Sequence, residues 1–357
     1  MKVFHIITHL DLGGAERVAI NIAKSKSSDI EYHVVEVVRG RSDFTRQLIN
    51  ELKSNNIKVH RSPVSSKKLG IVLFPLWFLF VYLKFKPDVI HTHTEIPDLS
   101  IYFFHFLYPK HKVYIRTIHN TELWNDWKEI GDRVEKFFIS HNSNVAISQS
   151  VKDCYEHNYH SGQDVPLIYN GVEEKEQKVF PYLETGKINI LFAGRLEPQK
   201  GIDVLIDVIN RLKADNRYVF HIIGNGSLKY KLDGLTGDNY KTYDKIYNLA
   251  SYIGSFDYMF MPSNFEGLAL TAIEACLAKT PVIINSCNGL AEIFPHNWPL
   301  KVQNNSTDDF IDIFSNQLFE LDKVKLANAA YEYAISHFSI KQMQAGYENL
   351  YYERTKA

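Results

Sequence analysis

Short apolar runs alternate with helix-length segments along nearly the whole chain, and the alternation restarts at its middle. Strands separated by helix-length stretches cannot close as hairpins. They need crossover connections, which produce parallel sheets covered by helices. In the first half the strand candidates are Val3–Ile7, Tyr32–Val38, Ile57–His60, Val89–His91, Lys112–Arg116 and Asn144–Ile147. Helices are expected to begin near Ala15, Phe44, Leu69, Pro97 and Asp126. Beyond Asn170-Gly171 the polar stretch Glu173–Lys178 has no core pattern and reads as an interdomain linker. The second half restarts with Ile188–Ala193, a glycine-bearing loop and a helix from Ile202, then strands at Tyr218–Ile223, Tyr258–Met261 and Pro281–Ile284. With 357 residues, 45% of them hydrophobic, the chain can fill two ordinary cores. No repeat is visible, and the last stretch, Phe338 to about Tyr352, is aromatic-rich with a helical pattern. Parallel sheets of this kind take ligands at the carboxyl ends of their strands.

A formal net charge of -1 gives no reason to expect nucleic acid. The first half is mildly basic, which suits an acidic acceptor or an anionic membrane. Cys154, Cys276 and Cys287 lack the close pairing of a zinc or redox motif and read as buried thiols in a reducing compartment. The N-terminus enters a strand directly, without a signal-peptide layout, so a cytoplasmic location is expected. Ile71–Leu83 is a charge-free apolar run flanked by Lys67, Lys68, Lys84 and Lys86. It is shorter than the roughly 18 apolar residues of a span and is interrupted by Pro75. Two readings stay open: a helix packed on a sheet, or a helix whose aromatic, Lys-flanked face rests peripherally on a membrane.

Glu266 and Glu274 stand eight residues apart in the run from Ser263 to Ala275. That spacing places one acid at the mouth of a helix and the other about two turns inside it. An acid among Leu268, Leu270, Ile273 and Leu277 is costly unless a polar group meets it, and a hydroxyl-rich ligand such as a sugar or ribose would do so.

Several further segments appear in order: Gly13-Gly14-Ala15-Glu16-Arg17, Arg116-Thr117-Ile118-His119-Asn120, Val145-Ala146-Ile147-Ser148 and Tyr169-Asn170-Gly171-Val172. The run from Phe192 to Gly201 and Ile223-Gly224-Asn225-Gly226 follow, before the Glu-x7-Glu segment. In this order the chain resembles the retaining glycosyltransferases of family four nearly end to end. The resemblance implies the α/β GT-B architecture: two facing Rossmann-like α/β/α domains, an interdomain cleft and a C-terminal helix crossing back. It divides the chain into an acceptor-binding domain at 1–171, a nucleotide-sugar-binding domain at 172–337 and the returning helix at 338–357. It also implies a diphosphate clamp at Arg195 and Lys200, donor contacts at Gly224, Gly226, Gly267 and Leu268, and ribose binding by Glu274. Glu266 is assigned to the transferred sugar, as an acid, a nucleophile or, preferably, a positioning acceptor. His119 is placed near the donor sugar. Two departures stand out: Gly267-Leu268-Ala269-Leu270 where many relatives have Gly-Phe-Pro-Leu, and Tyr243-Asp244 where a Leu-Gly turn usually precedes the base-binding helix.

The residues support parts of this chemistry on their own. Gly13-Gly14 at a strand-to-helix turn lets backbone amides approach a phosphate, although a plain tight turn would look the same. Paired cations and helix-end amides can stabilise a departing diphosphate without a metal. The chain has no Asp-x-Asp triplet to hold a divalent ion, and Asp308-Asp309 read as helix-start acids. No cofactor is expected; the nucleotide sugar, UDP-linked by preference, is a substrate. His91 and His93 share a strand face with no third metal ligand apparent, and read either as acceptor-side residues or as structure. The expected reaction is metal-independent transfer of a hexose or N-acetylhexosamine to a glycan or lipid-linked acceptor in surface polysaccharide synthesis. A GT-B nucleotide-sugar epimerase and a non-catalytic nucleotide-sugar- or glycan-binding protein are the rival readings.

Overall fold

The structure, a computed structural model, describes residues 1–125, 127–159, 162 and 164–356. The chain forms two compact units: Met1–Gly171 with Ile340–Ala357, and Val172–Ser339. In the first unit the elements are β1 (Lys2–Ile7), α1 (Gly14–Ala23), β2 (Glu31–Glu36), α2 (Asp43–Ser54), β3 (Lys58–His60) and α3 (Lys67–Phe85). They continue as β4 (Val89–His93), α4 (Glu95–Leu107), β5 (Tyr114–Ile118), α5 (Lys128–Ser140), β6 (Asn144–Ala146) and α6 (Gln149–Tyr159). The second unit holds β7 (Ile188–Ala193), α7 (Ile202–Arg211), β8 (Tyr218–Ile223), β9 (Tyr240–Tyr243), β10 (Tyr258–Met261) and α8 (Leu270–Leu277). It ends with β11 (Val282–Asn285), β12 (Lys301–Val302), α9 (Thr307–Asp312), α10 (Leu318–Glu320) and α11 (Lys323–His337). The terminal helix α12 (Ile340–Lys356) belongs to the first unit.

Both sheets are six-stranded, in the orders β3-β2-β1-β4-β5-β6 and β12-β11-β10-β7-β8-β9. Counted from its own first strand, each has the same doubly wound order, and its paired strands run parallel. The strand order reverses between β1 and β4, and between β7 and β10, which are the switch points where such sheets bind ligands. Buried Val, Ile and Phe on β1, β7 and β8 form the cores.

The strand expected over Lys112–Arg116 lies two residues later, because Tyr114–Ile118 is the fully buried run that pairs with β4. His119 therefore follows directly on β5. A helix was expected near Asp126; that residue lies outside those described, and α5 opens at Lys128. The polar stretch Glu173–Lys178 lacks regular structure but is not a free linker. Gln177 donates to the Ala250 carbonyl and accepts from the Gly254 amide, and the Lys178 amide bonds Ser251, all within the second unit. Cys276 is buried, whereas Cys154 and Cys287 are only half-buried.

Pro75 does not break α3, which continues through it to Phe85. Ile71, Phe74, Phe78 and Tyr82 face the core, with Phe78 stacked on Phe74 and edge-on to Phe104 of α4. The outward stripe is Leu69, Val72, Leu73, Leu76, Phe80 and Leu83, each 41–74% exposed. The exposed face is thus mainly aliphatic, not aromatic, since most of the ring-bearing residues turn inward.

Arg116 is enclosed in the first unit with two carboxylates, at 2.7 Å from Asp98 and 2.7 Å from Glu135. Trp124 Nε1 and the Tyr155 hydroxyl also donate to Glu135. Burial raises the Asp98 carboxyl to about 7 even though Arg116 opposes the shift. Arg116 is therefore a core cation and its role is structural.

Candidate active site

In the second unit, loops at the carboxyl ends of β7, β8, β10 and β11 converge. The first runs from Gly194 through a 3-10 turn at Pro198–Lys200 to Gly201. Gly201 has φ +65°, and a Cβ there would collide with the Pro262 carbonyl, so only glycine fits. A Cβ on Gly224 would likewise strike the Gly194 carbonyl, so the β8 loop lies directly on the β7 loop. Backbone bonds from Leu196 to Asn225 and from Leu228 to Leu196 tie them further. Ser227 donates to the Glu197 carboxylate through its hydroxyl and its amide, which holds that carboxyl below its usual range.

Lys200 Nζ lies 2.6 Å from Glu266 Oε1, and the two side chains are only 13% and 6% exposed. Gln199 bridges the cluster. Its Oε1 accepts from Arg195 Nη2 at 2.9 Å, and its Nε2 donates to the Phe265 carbonyl at 3.1 Å. Arg195 is exposed, with its guanidinium held by this neutral amide. The sequence motifs thus bring Arg195, Lys200, Gly224, Gly226 and Glu266 together, and Gln199 is the linking residue that sequence reasoning missed.

Glu266 is not at a helix mouth. Its amide bonds Asn288 and the Ala269 amide bonds Gly289, so the chain stays looped and α8 begins only at Leu270. Gly267 and Leu268 are buried in that loop and do not open the helix. Glu274 consequently sits about one turn inside α8, not two, and is half-buried. After Tyr243 the chain makes only short 3-10 turns at Leu249–Ser251 and Ile253–Ser255, where a base-binding helix was expected. Asp244 is bonded by Asn225 and by Lys229, at 3.2 and 2.8 Å. Asp308 and Asp309 lie in the first turn of α9, behind a Ser306 cap.

In the first unit, Gly13 caps α1 and Gly14 opens it. The Glu16 carboxylate folds over Gly13, so this helix start already carries an acid of its own. His119, half-buried after β5, has Nε2 at 3.2 Å from His93 Nδ1, and burial lowers its pKa to about 3. His91 and His93 do not form an acceptor-facing pair. Both are buried: His91 is held by the Tyr351 hydroxyl and Thr117 Oγ1, each at 2.7 Å, and Tyr347 bonds Thr117 in turn. A third histidine is present, contrary to the sequence reading. His5 pairs in register with His91, and nitrogens of His5, His91 and His93 lie within 4.8 Å of one another. Hydrogen bonds already occupy both nitrogens of His91 and join His5 to His93 at 3.0 Å. The signal for His5 was its place on the central strand, on the side shared with His91, which becomes visible only once β1 and β4 are known to be neighbours.

Residues 12–176 match the Glycosyltransferase Family 4 model and residues 173–336 match that of Glycosyl transferases group 1. The chain is 26% identical over 373 residues to the 41.2 kDa protein in the cps region of Klebsiella pneumoniae, covering 98% of this chain and 99% of that protein. It is 26% identical over 292 residues to the capsular polysaccharide biosynthesis glycosyltransferase CapH of Staphylococcus aureus, covering 77% and 78%. Anabaena HepE, solved in complex with UDP, superposes with a TM-score of 0.78 at 18% identity over 99% of this chain and 100% of that one. Two matching halves, end-to-end relatives and the doubly wound order repeated in both units establish the chain as a glycosyltransferase of the family 4, group 1 type, with the GT-B fold.

Proposed function

We propose that this enzyme moves a hexose or N-acetylhexosamine from a nucleotide sugar, with UDP as the preferred carrier, to a surface glycan or lipid-linked acceptor. The observation that carries the reading is the Arg195–Gln199–Lys200–Glu266 cluster on converging loops at a sheet switch point. Capsule-related relatives support the product class, and the UDP complex of HepE supports the carrier. In the second unit Arg195 and Lys200 take the diphosphate, Glu274 the ribose and Glu266 the sugar; His119 of the first unit keeps the sugar-side role that the family resemblance implies. A diphosphate arriving at Lys200 competes with Glu266 for its ammonium and frees that carboxylate to accept from sugar hydroxyls. The acceptor oxygen then bonds to the anomeric carbon on the face the diphosphate leaves. The C–O bond to phosphate breaks, and the acceptor proton passes to the departing oxygen, so configuration is retained. The two cations balance the charge that grows there, without a metal.

The acceptor is reached at a membrane. The exposed apolar stripe of α3, with Lys67 and Lys68 at one end and Lys84 and Lys86 at the other, suits reversible attachment to an anionic bilayer. A Leu76→Ser Phe80→Ser variant alters only exposed positions and should reduce salt-sensitive co-sedimentation with anionic vesicles. Wild-type protein that stays in the supernatant at low salt would remove the membrane from the reading. The test of the activity itself is incubation with UDP-sugars, with and without lipid-linked glycan acceptors. Acceptor-dependent product with retained anomeric configuration is expected. An epimer formed from donor alone would instead identify an epimerase.

A further inference from the structure

We propose that His93 and His5 are positioning residues for transfer: they form an imidazole ladder with His119 that fixes its ring and ties its tautomer to theirs. This rests on the assignment of His119 to the sugar. Nδ1 of His5 lies 3.0 Å from Nε2 of His93, and Nδ1 of His93 lies 3.2 Å from Nε2 of His119. The same pair of atoms meets at both junctions. Burial keeps all three rings neutral at physiological pH, with His5 and His119 lowered to about 3 and His93 well below its usual value.

A neutral imidazole has one N–H and one lone pair. His93 uses both nitrogens, so it must donate at one junction and accept at the other. The two hydrogen bonds therefore run in one direction together. Either all three rings carry their proton on Nδ1, or all three carry it on Nε2. A mixed arrangement sets two protons or two lone pairs against each other at a buried contact. What His119 presents to a ligand at its remaining nitrogen, Nδ1, is thus settled along the ladder, together with His93 and His5. His91 braces the assembly from the side: its ring centroid lies 4.2 Å from that of His93, and its nitrogens are tied to Tyr351 of α12 and to Thr117. His5 Nε2, at the inner end, is buried without a partner, so the ladder ends there.

Long-range nitrogen–proton NMR on histidine-labelled, donor-free protein reads the tautomers directly. His5, His93 and His119 are expected to share one tautomer at neutral pH. Different tautomers at adjacent members, or a stoichiometric metal found by elemental analysis on His5, His91 and His93, would overturn the ladder. In transfer assays His93→Phe should lower kcat about 10- to 100-fold with donor KM little changed. His93→Asn, whose amide can both donate and accept, should retain more activity than His93→Phe. Wild-type kcat in folded His93→Phe would refute the positioning role. Wild-type transfer by His119→Ala would instead refute the placement of His119 at the sugar, while leaving the tautomer result standing.

Discussion

Lowering the pH should unfold the first unit well before the second. His5, His91, His93 and His111 are buried in the first unit, and burial pushes His5 down to about 3, His111 to about 4, and His91 and His93 well below their usual value. Each titrates near 6.5 when unfolded, so between that pH and the folded value the unfolded chain binds the extra proton. Stability is then complete at higher pH and is lost as pH falls, by about 1.4 kcal/mol per unit for each histidine at full slope. Asp98 works the other way: its carboxyl is raised to about 7, so the folded state gains as pH drops below that value. These four histidines alone, set against Asp98, give a loss of roughly 7 kcal/mol between pH 6.5 and about pH 4.5, comparable to the whole stability of an ordinary domain. His33, His60, His105 and His119 of the same unit, also lowered by burial, add to it in the same direction. Among the described residues the second unit has one such histidine, His221, lowered to about 4. Hydrogen-exchange mass spectrometry across this range resolves the two units. Protection should collapse first in peptides from β1, β4 and β5, while β7 and β8 stay protected. Equal protection of both units down to about pH 4.5, or earlier loss in the second, would refute the reasoning.

Lys200→Ala and Arg195→Ala should each lower kcat on the order of 10²-fold or more, and activity should survive EDTA. Near-normal turnover in both variants would remove the diphosphate clamp, and strict dependence on added divalent metal would contradict metal-free transfer. Glu274→Gln should weaken UDP binding in calorimetry, whereas Glu266→Gln should spare UDP and blur discrimination among donor sugars. Equal loss of UDP binding would refute that division. Arg116→Met leaves Asp98 and Glu135 enclosed without their cation and should cost about 3–5 kcal/mol in urea unfolding. A loss below about 1 kcal/mol would show that Arg116 does not hold this core together.

The central strands were legible because a parallel strand is covered on both faces and reads as a nearly continuous apolar run, as β1, β7 and β8 do apart from Lys2, His5, Asn189 and His221. The edge strands of the first sheet, β3 and β6, were also legible, but those of the second sheet were not. Tyr240–Tyr243 is polar and half-exposed, and Lys301–Val302 is too short to show a pattern. Helix α6 was missed because only Val151 and Tyr155 are buried in it. The doubly wound order recurs in both units without a visible sequence repeat, since burial demands apolar character and not residue identity. At the site, local pattern identified the loops but not the contacts made between them. Lys200 and Glu266 are 66 residues apart, and His5 and His93 are 88 apart. Their meeting depends on which strands are neighbours, which no local window contains. The onset of α8 shows the same limit, because bonds to the Asn288–Gly289 loop hold the chain out of helix until Leu270. A lysine that reads locally as a free cation is therefore already neutralised by a distant carboxylate. Removing either partner leaves the other enclosed without its counter-charge, so a kinetic change at Lys200 or Glu266 reports on both side chains. Only a double-mutant cycle separates the contribution of each to transfer.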